Sequence, residues 1–143
     1  MPYPSEITDD PSVSLERVLR QRANWVFEGP VRVAETTYDK KHFGNSVLTL
    51  RWPLWYVQFV RDRAYVHLSA AGAAAPDEWM SVHDLIRVAS GSGEGEMRNT
   101  LAESVENLRK VAPFLEGLLV RDLPTTRAAV AALVEEREAK FWS

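Results

Sequence analysis

The 143-residue sequence contains no cysteine. It therefore cannot form disulfides, bind a metal through thiolates or use a cysteine nucleophile. Long apolar runs are missing as well, because the longest stretch without Asp, Glu, Lys or Arg is residues 64–76, which is rich in Ala and Gly. Such a stretch is too short to span a bilayer. The first ten residues have neither a basic segment nor an apolar core, so no signal peptide is expected and the predicted location is cytoplasmic.

A large excess of either charge is also missing, since the formal net charge is −3. This balance argues against a chain that binds nucleic acid over its whole surface. Hydrophobic residues make up 45% and charged residues 26% of the chain, as in globular proteins, and the length predicts one domain over residues 1–143. The charge is uneven, because residues 31–69 carry a net +3 and seven of the fourteen aromatic residues. The middle of the chain is therefore basic and aromatic.

Start and stop signals predict four helices. The first follows the Asp-Pro-Ser sequence at residues 10–12, contains apolar residues at helical spacing from Leu15 to Val26, and ends at residues 28–30. The second covers residues 82–89. The third is marked by apolar residues from 97 to 115 and should end or kink near residues 109–112, because Pro113 removes a backbone donor. The last opens at residues 123–124 and ends in an aromatic pair, Phe141 and Trp142.

Between the first and second helices, segments rich in β-branched and aromatic residues predict four strands, over residues 31–38, 47–52, 55–61 and 64–69. The short gaps between them favour an antiparallel meander. Helices that cover one apolar face of this sheet would give an α+β fold in two layers, with the element order αββββααα.

Side chains alternate along a strand, so a register can be tested against polarity. We take residues 53–54 and 62–63 as the two turns, which pairs Leu50 with Val57 and Phe59 with Val66. The register of the first strand stays undetermined. One face is then apolar: Leu48, Leu50, Trp52, Trp55, Val57, Phe59, Ala64, Val66 and Leu68, with Arg61 at the turn as its charged member. The opposite face is mixed: Val47, Thr49, Arg51, Tyr56, Gln58, Val60, Tyr65, His67 and Ser69.

Catalytic and metal-binding patterns are not found in the sequence. His42, His67 and His83 do not have the spacing of metal ligands, and no serine-nucleophile motif occurs. The glycine-rich residues 91–95 do not follow a buried strand and lack the Lys-Ser/Thr of a phosphate-binding loop, so we interpret them as a connector. We therefore predict no catalytic residue, no metal and no cofactor, and a non-enzyme is favoured over an enzyme.

The mixed face and the second hairpin tip are the predicted partner-binding surface. Tyr and Arg are enriched at protein interfaces, and the tip should expose two Arg side chains that can pair with carboxylates. Stacking of nucleic-acid bases is less favoured, because no RNA-binding motif occurs and the flanking segments are acidic. Alternatively, the terminal helices cover this face. The predicted binding residues are Arg51, Tyr56, Gln58, Arg61, Arg63, Tyr65 and His67.

Residues 43–91 also resemble a family. The string Phe43-Gly44-Asn45-Ser46 is followed by Phe59-Val60-Arg61-Asp62-Arg63-Ala64 and by Pro76-Asp77-Glu78-Trp79 before a short helix. This pattern is similar to that of small, mostly uncharacterised actinobacterial cytoplasmic proteins, some of which resemble immunity proteins that bind a toxin. The resemblance implies a non-enzymatic binding protein. Ala64 stands where the relatives tend to have Gly, and the two C-terminal helices have no counterpart in them.

Three functional hypotheses follow. The preferred one is a non-catalytic cytosolic protein that binds a protein partner, such as a toxin, with neither a membrane nor a nucleic acid as its target. It would bind through the mixed face and the hairpin tip or, alternatively, through its acidic helices to a basic toxin surface. The alternative is a small enzyme or ligand-binding domain, with a pocket between sheet and helices and His67 or His83 near it. The third is a homodimer formed through the mixed face or through Phe141 and Trp142.

Overall fold

A computed structural model describes residues 7–91 and 99–142 of the chain. Its centre is an open antiparallel sheet in which each strand pairs with the next one in sequence. The α+β class and the meander are therefore confirmed, with one strand more than expected. The strands are β1 (Arg32–Asp39), β2 (Asn45–Arg51), β3 (Trp55–Asp62), β4 (Tyr65–Gly72) and β5 (Met80–Ser81).

Within residues 7–91 and 99–142, four α-helices and three shorter helical turns accompany the sheet. The α-helices are α1 (Leu15–Arg22), α2 (Val82–Ser90), α3 (Leu101–Val111) and α4 (Leu123–Trp142). The turns are two 3-10 helices, Asn24–Phe27 and Ala112–Phe114, and a π-helix, Gly117–Arg121. The predicted connector lies outside the described residues apart from Gly91, and so does Met97.

The first helix begins where predicted and ends sooner. Ser14 caps α1, because its hydroxyl accepts a hydrogen bond from the Arg17 amide at 3.2 Å. The helix ends at Arg22, since Ala23 has φ −148° and leaves the helical region. The predicted extension to Val26 is therefore wrong for an α-helix. The 3-10 turn that replaces it lets Val26 enter the core.

Proline ends the third helix as predicted. α3 starts with a capping box, in which the Thr100 hydroxyl and the Glu103 carboxylate each accept a hydrogen bond from the other residue's amide. It stops at Val111, and Pro113 lies in the 3-10 turn that follows. A continued α-helix would need the backbone amide hydrogen that proline lacks, so the helix ends and Pro113 lies in a tighter turn.

The apolar face of the sheet packs under the helices. Leu48, Leu50, Val57 and Phe59 are completely buried there, and they share one core with buried residues of the helices. That core contains Leu15 and Leu19 of α1, Leu85 of α2, Val105 and Leu108 of α3, and Val130 of α4. The predicted division into an apolar and a mixed face is confirmed, since Leu50 pairs with Val57 and Leu48 with Phe59.

The pairing of β3 with β4 is shifted by two residues from the prediction. Phe59 pairs with Leu68 rather than Val66, and the turn is Arg63–Ala64 rather than residues 62–63. A shift of two residues keeps the side chains of β4 on their predicted faces, because the sheet repeats every two residues. The prediction for Ala64 is wrong, since this residue lies in the turn and is exposed instead of facing the core. The longer β3 places Arg61 inside the strand, on the core side, opposite Val66.

Two features of the sheet were beyond the sequence prediction. The first strand pairs Thr37 with Val47 and carries an irregularity between Val33 and Glu35. The fifth strand is only two residues long and pairs with Ser69 and Ala70 of β4. It directly precedes α2, so it brings Trp79, the residue before it, to the edge of the sheet.

Candidate functional site

The face of the sheet opposite the helices is the candidate site, and we call it the open face. Cross-strand pairing arranges its side chains in rows. One row contains Arg51, Tyr56 and Ala71, and the next contains Thr49, Gln58 and Ser69. A third contains Val47, Val60 and His67. Arg51, Tyr65 and His67 are exposed, and Tyr56 and Gln58 are half-buried. Five of the seven predicted binding residues therefore share this surface.

An aromatic cluster forms at one end of the open face. The Arg51 guanidinium lies over the Tyr56 ring, 5.2 Å from its centre, and the Trp79 ring meets the same tyrosine edge-on at 6.3 Å. Both geometries are favourable for aromatic rings. Trp79 remains 37% exposed, and it comes from outside the predicted strands. We call Arg51, Tyr56 and Trp79 the Tyr56 cluster.

A second arginine stands beside this cluster. Arg32 of β1 pairs directly with Arg51 of β2, and both side chains are exposed. Like charges opposite each other in a sheet repel, so this pair costs stability unless an anion lies nearby. Arg32 and Arg51 therefore place two positive charges at this end of the open face, and arginine side chains pair well with carboxylates.

The middle of the open face is held by polar contacts. The Gln58 amide nitrogen donates a hydrogen bond to the Thr49 hydroxyl at 3.0 Å. Thr49 and Ser69 are buried although they belong to this face, because longer side chains flank them. The amide of Gln58 is therefore oriented by the sheet itself.

His67 lies at the side of the open face nearest α2. His67 is exposed at its surface side, but the partial desolvation of its ring lowers the pKa of His67 below its ordinary value of 6.5, and the nearby Asp84 carboxylate opposes that shift. Asp84 is buried in α2 and accepts a hydrogen bond from Arg137 of α4. The lowered pKa favours the neutral His67 ring, which can donate one hydrogen bond and accept another.

Arg61 does not belong to the candidate site, and its predicted exposure at the hairpin tip is wrong. Its side chain is completely buried. All of its nitrogen atoms donate hydrogen bonds to the segment that precedes α1 or to the β1–β2 loop. The acceptors are the Asp9 carboxylate and the carbonyls of Asp10, Val13 and Gly44. Arg61 thus has a structural role, since it ties two surface segments to the sheet.

Arg63 stays at the hairpin tip, as predicted. Its guanidinium lies 5.3 Å from the centre of the Phe43 ring, and its backbone has φ +60°, which is unfavourable for a residue with a side chain. The Asn45 amide oxygen holds this turn by accepting a hydrogen bond from the Arg63 amide at 3.1 Å. Phe43 is 70% exposed, so the tip presents an aromatic ring and a positive charge together.

A cavity between the sheet and the helices lies elsewhere. It is lined by Trp25, Val26, Glu28, Trp52, Trp55, Leu108, Ala112 and Leu115. Glu28 is the ionisable residue of this lining, and neither His67 nor His83 is part of it. A cavity thus lies between sheet and helices, but the histidines expected beside it lie on other elements, and the ligand-binding alternative stays a prediction.

Residues 7–91 and 99–142 contain no group of three or more His, Asp or Glu side chains arranged to hold a metal ion. No helix in that part of the chain has the length and apolar character needed to cross a membrane.

The chain matches no family model, no curated protein and no solved structure. The resemblance to actinobacterial immunity-like proteins therefore stays a prediction.

Sequence reasoning missed two residues of the open face, Arg32 and Trp79. Arg32 could be placed only once the pairing of β1 with β2 was known. Trp79 is positioned by the two-residue β5, which is too short to give a periodic signal. The sequence indicated this residue only as an isolated tryptophan between a turn and a helix.

Proposed function

We propose that this chain is a non-catalytic protein-binding protein whose contact surface is the open face of its sheet. The observation that carries the proposal is the Tyr56 cluster, in which a tyrosine, a tryptophan and an arginine meet on a face that the helices do not occupy. Tyr, Trp and Arg are the residues that most often dominate binding energy at protein interfaces. A cluster of the three is suited to be the centre of such an interface.

The size of the open face sets how a partner would bind. Four strands of seven or eight residues present a face of about 20 by 25 Å. A standard protein interface buries about 800 Å² on each partner. The contact would therefore extend beyond the sheet, and the exposed Phe43 and Arg63 at the hairpin tip are suited to be part of it.

The charges of the site indicate the partner's chemistry. Arg32, Arg51 and Arg63 are exposed, and residues 31–69 carry a net +3 in a chain of net −3. An acidic partner surface would relieve the repulsion between Arg32 and Arg51, and complementary charge would speed its association. We propose that this partner is a protein toxin neutralised by the chain, as the resemblance to immunity-like proteins implies.

A charge-reversal experiment tests the surface. The tagged chain would be incubated with an extract of the source organism, and bound proteins would be quantified by mass spectrometry. We expect Arg51→Glu and Trp79→Ala to reduce recovery of the specific partner at least tenfold. Arg121→Glu, an exposed reversal at the junction of the helices, is the matched control and should not change recovery.

Purified proteins would then separate the two parts of the proposal. Titration calorimetry should show the same loss of affinity for Arg51→Glu, and the wild-type chain should suppress the partner's toxicity when both are expressed together. Equal binding by wild type and both open-face variants would contradict the surface. A partner that binds through this face but harms no cell would contradict the toxin alone.

A further inference from the structure

A cleft lies where the chain enters β1 and leaves β2. Two stretches of chain line it, residues 29–34 and residues 51–53. Arg32, Arg51 and Pro53 are exposed, so the cleft is open to solvent. Its volume is about 760 Å³. Binding sites for small molecules typically measure roughly 300–1,000 Å³, so the cleft has the size of such a site.

The lining of this cleft is positive and otherwise apolar. Arg32 and Arg51 are its charged members, and no acidic residue of the described chain belongs to it. Gly29 has no side chain, and the remaining lining residues are apolar: Pro30, Val31, Val33, Ala34, Trp52 and Pro53. A ligand that complements this lining is an anion with an apolar body.

Neither arginine has an acidic partner among residues 7–91 and 99–142. The Arg32 side chain forms no hydrogen bond, ion pair or ring contact with any of these residues, and Arg51 contacts the Tyr56 ring, which leaves its charge uncompensated. The two arginines are directly opposite each other in the sheet. The Cβ atoms of such a pair are about 5 Å apart, so both side chains can reach one bound group. An anion bound by both would remove their repulsion.

The irregularity of β1 lies in the same cleft. Val33 pairs with Leu50 and Glu35 pairs with Thr49, so Ala34 has no partner in β2. Ala34 is one of the lining residues. Bulges interrupt regular pairing and are over-represented next to functional sites. The sheet is therefore irregular at the place where the cleft forms.

The two positive charges favour a doubly charged anion. A phosphate monoester has a charge of about −1.5 to −2 at pH 7 and three oxygen atoms that accept hydrogen bonds. Two guanidinium groups can therefore bind it together, each through charge-assisted hydrogen bonds. A carboxylate has a single charge and two oxygen atoms, so it matches two arginines less well.

We propose that this cleft binds a small phosphate monoester with an apolar body, and that Arg32 and Arg51 together bind the phosphate. The cleft adjoins the Tyr56 cluster, because Arg51 belongs to both. The proposal does not depend on a protein partner. Arg32 lines the cleft without belonging to the Tyr56 cluster, and Trp79 belongs to the cluster without lining the cleft.

Three probes test the class of ligand on the purified full chain. We would titrate the 15N-labelled chain with phenyl phosphate, inorganic phosphate and benzoate and follow the backbone amide signals by NMR. Phenyl phosphate should bind saturably with a Kd below about 1 mM and cause its largest shifts within residues 29–34 and 51–52. Inorganic phosphate lacks the apolar body and benzoate lacks the second charge, so each should bind about tenfold more weakly. No saturable binding of phenyl phosphate, or equal affinity for either other probe, would overturn the proposal.

Variants locate the site. Arg32→Gln should weaken the binding of phenyl phosphate at least tenfold, and Arg32→Lys, which keeps the charge without the planar fork, should have an intermediate affinity. Arg63→Gln removes the same charge from another exposed arginine and is the matched control. Trp79→Ala should not change the affinity, although it alters the protein-binding surface. Unchanged affinity in Arg32→Gln, or an equal loss in Arg63→Gln, would show that the cleft does not bind the phosphate and would overturn the assignment.

One more comparison distinguishes the sources of the phosphate. A short peptide with one phosphotyrosine carries the same phosphate and ring as phenyl phosphate. A site for a free small molecule should bind this peptide no more tightly than phenyl phosphate. An affinity for the peptide that is more than about tenfold higher would assign the cleft to a phosphorylated protein segment and overturn the small-molecule proposal.

Discussion

Arg61 and Asp9 form a two-point ion pair between the sheet and the segment before α1. The Nε atom of Arg61 donates to Oδ2 of Asp9 at 2.8 Å, and Nη2 donates to Oδ1 at 2.6 Å. The arginine side chain is completely buried, while that of Asp9 is 20% exposed. A residue that looks like a surface charge in the sequence is thus a central tie of the fold.

Removing this tie should cost much of the stability. We expect Arg61→Met to lower the free energy of unfolding by about 3 kcal/mol, the lower end for a broken buried pair, because Asp9 can still reach water. Arg61→Lys should recover only a small part, since an ammonium group cannot replace the planar fork. Urea denaturation measures both. Arg63→Met is the control at the exposed tip, and a loss for Arg61→Met no larger than for this control would contradict the assignment.

Gly44 should tolerate no side chain. Its φ is +73°, and a Cβ atom placed there would lie 2.1 Å from the Pro11 carbonyl oxygen. Gly29 has a similar φ of +83° with no atom near the same position, so it is a matched control. We expect Gly29→Ala to cost about 1 kcal/mol through backbone strain alone. Gly44→Ala should cost about 2 kcal/mol more, because the Pro11 backbone must move. Equal losses in thermal unfolding would show that this contact is unimportant.

His67 should make stability depend on pH. Its pKa in the folded chain is below the ordinary 6.5, so the unfolded chain binds more protons between the two values. The free energy of unfolding should therefore be full above about pH 6.5 and fall as the pH decreases through that window. His67→Gln should flatten this part of the profile. Urea denaturation from pH 5 to 8 checks it, and an unchanged slope in the variant would show that another group is responsible.

The aromatic end of α4 should contribute nothing to folding. Phe141 and Trp142 are 79% and 82% exposed, and their rings contact each other at 5.2 Å. Phe141→Ser/Trp142→Ser should change the free energy of unfolding by less than about 0.5 kcal/mol, whereas Val130→Ala in the same helix should cost more than 1 kcal/mol. Light scattering on the same proteins tests the homodimer hypothesis. A mass that halves in the double variant would support self-association through this end, and a monomeric wild type would contradict it.

The sequence was sufficient to determine the two faces of the sheet. The alternation of Leu48 and Leu50 with Thr49, and of Val57 and Phe59 with Gln58, makes only one of the two faces apolar. Because this signal repeats every two residues, the faces were predicted correctly although the pairing of β3 with β4 was predicted two residues out of register. Helix ends marked by proline were equally local, as Pro113 shows.

Tertiary structure alone decided the burial of Arg61, the position of Trp79 and the proximity of three tryptophans around one cavity. Arg61 can be buried because Asp9, more than fifty positions away in sequence, and three backbone carbonyl groups accept its hydrogen bonds. Trp25 comes close to Trp52 and Trp55 only when the 3-10 turn after α1 packs beside the turn between β2 and β3. The energy of such contacts depends on the assembled shape and not on local spacing. Contacts between distant residues therefore leave no periodic pattern along the chain from which they could be predicted.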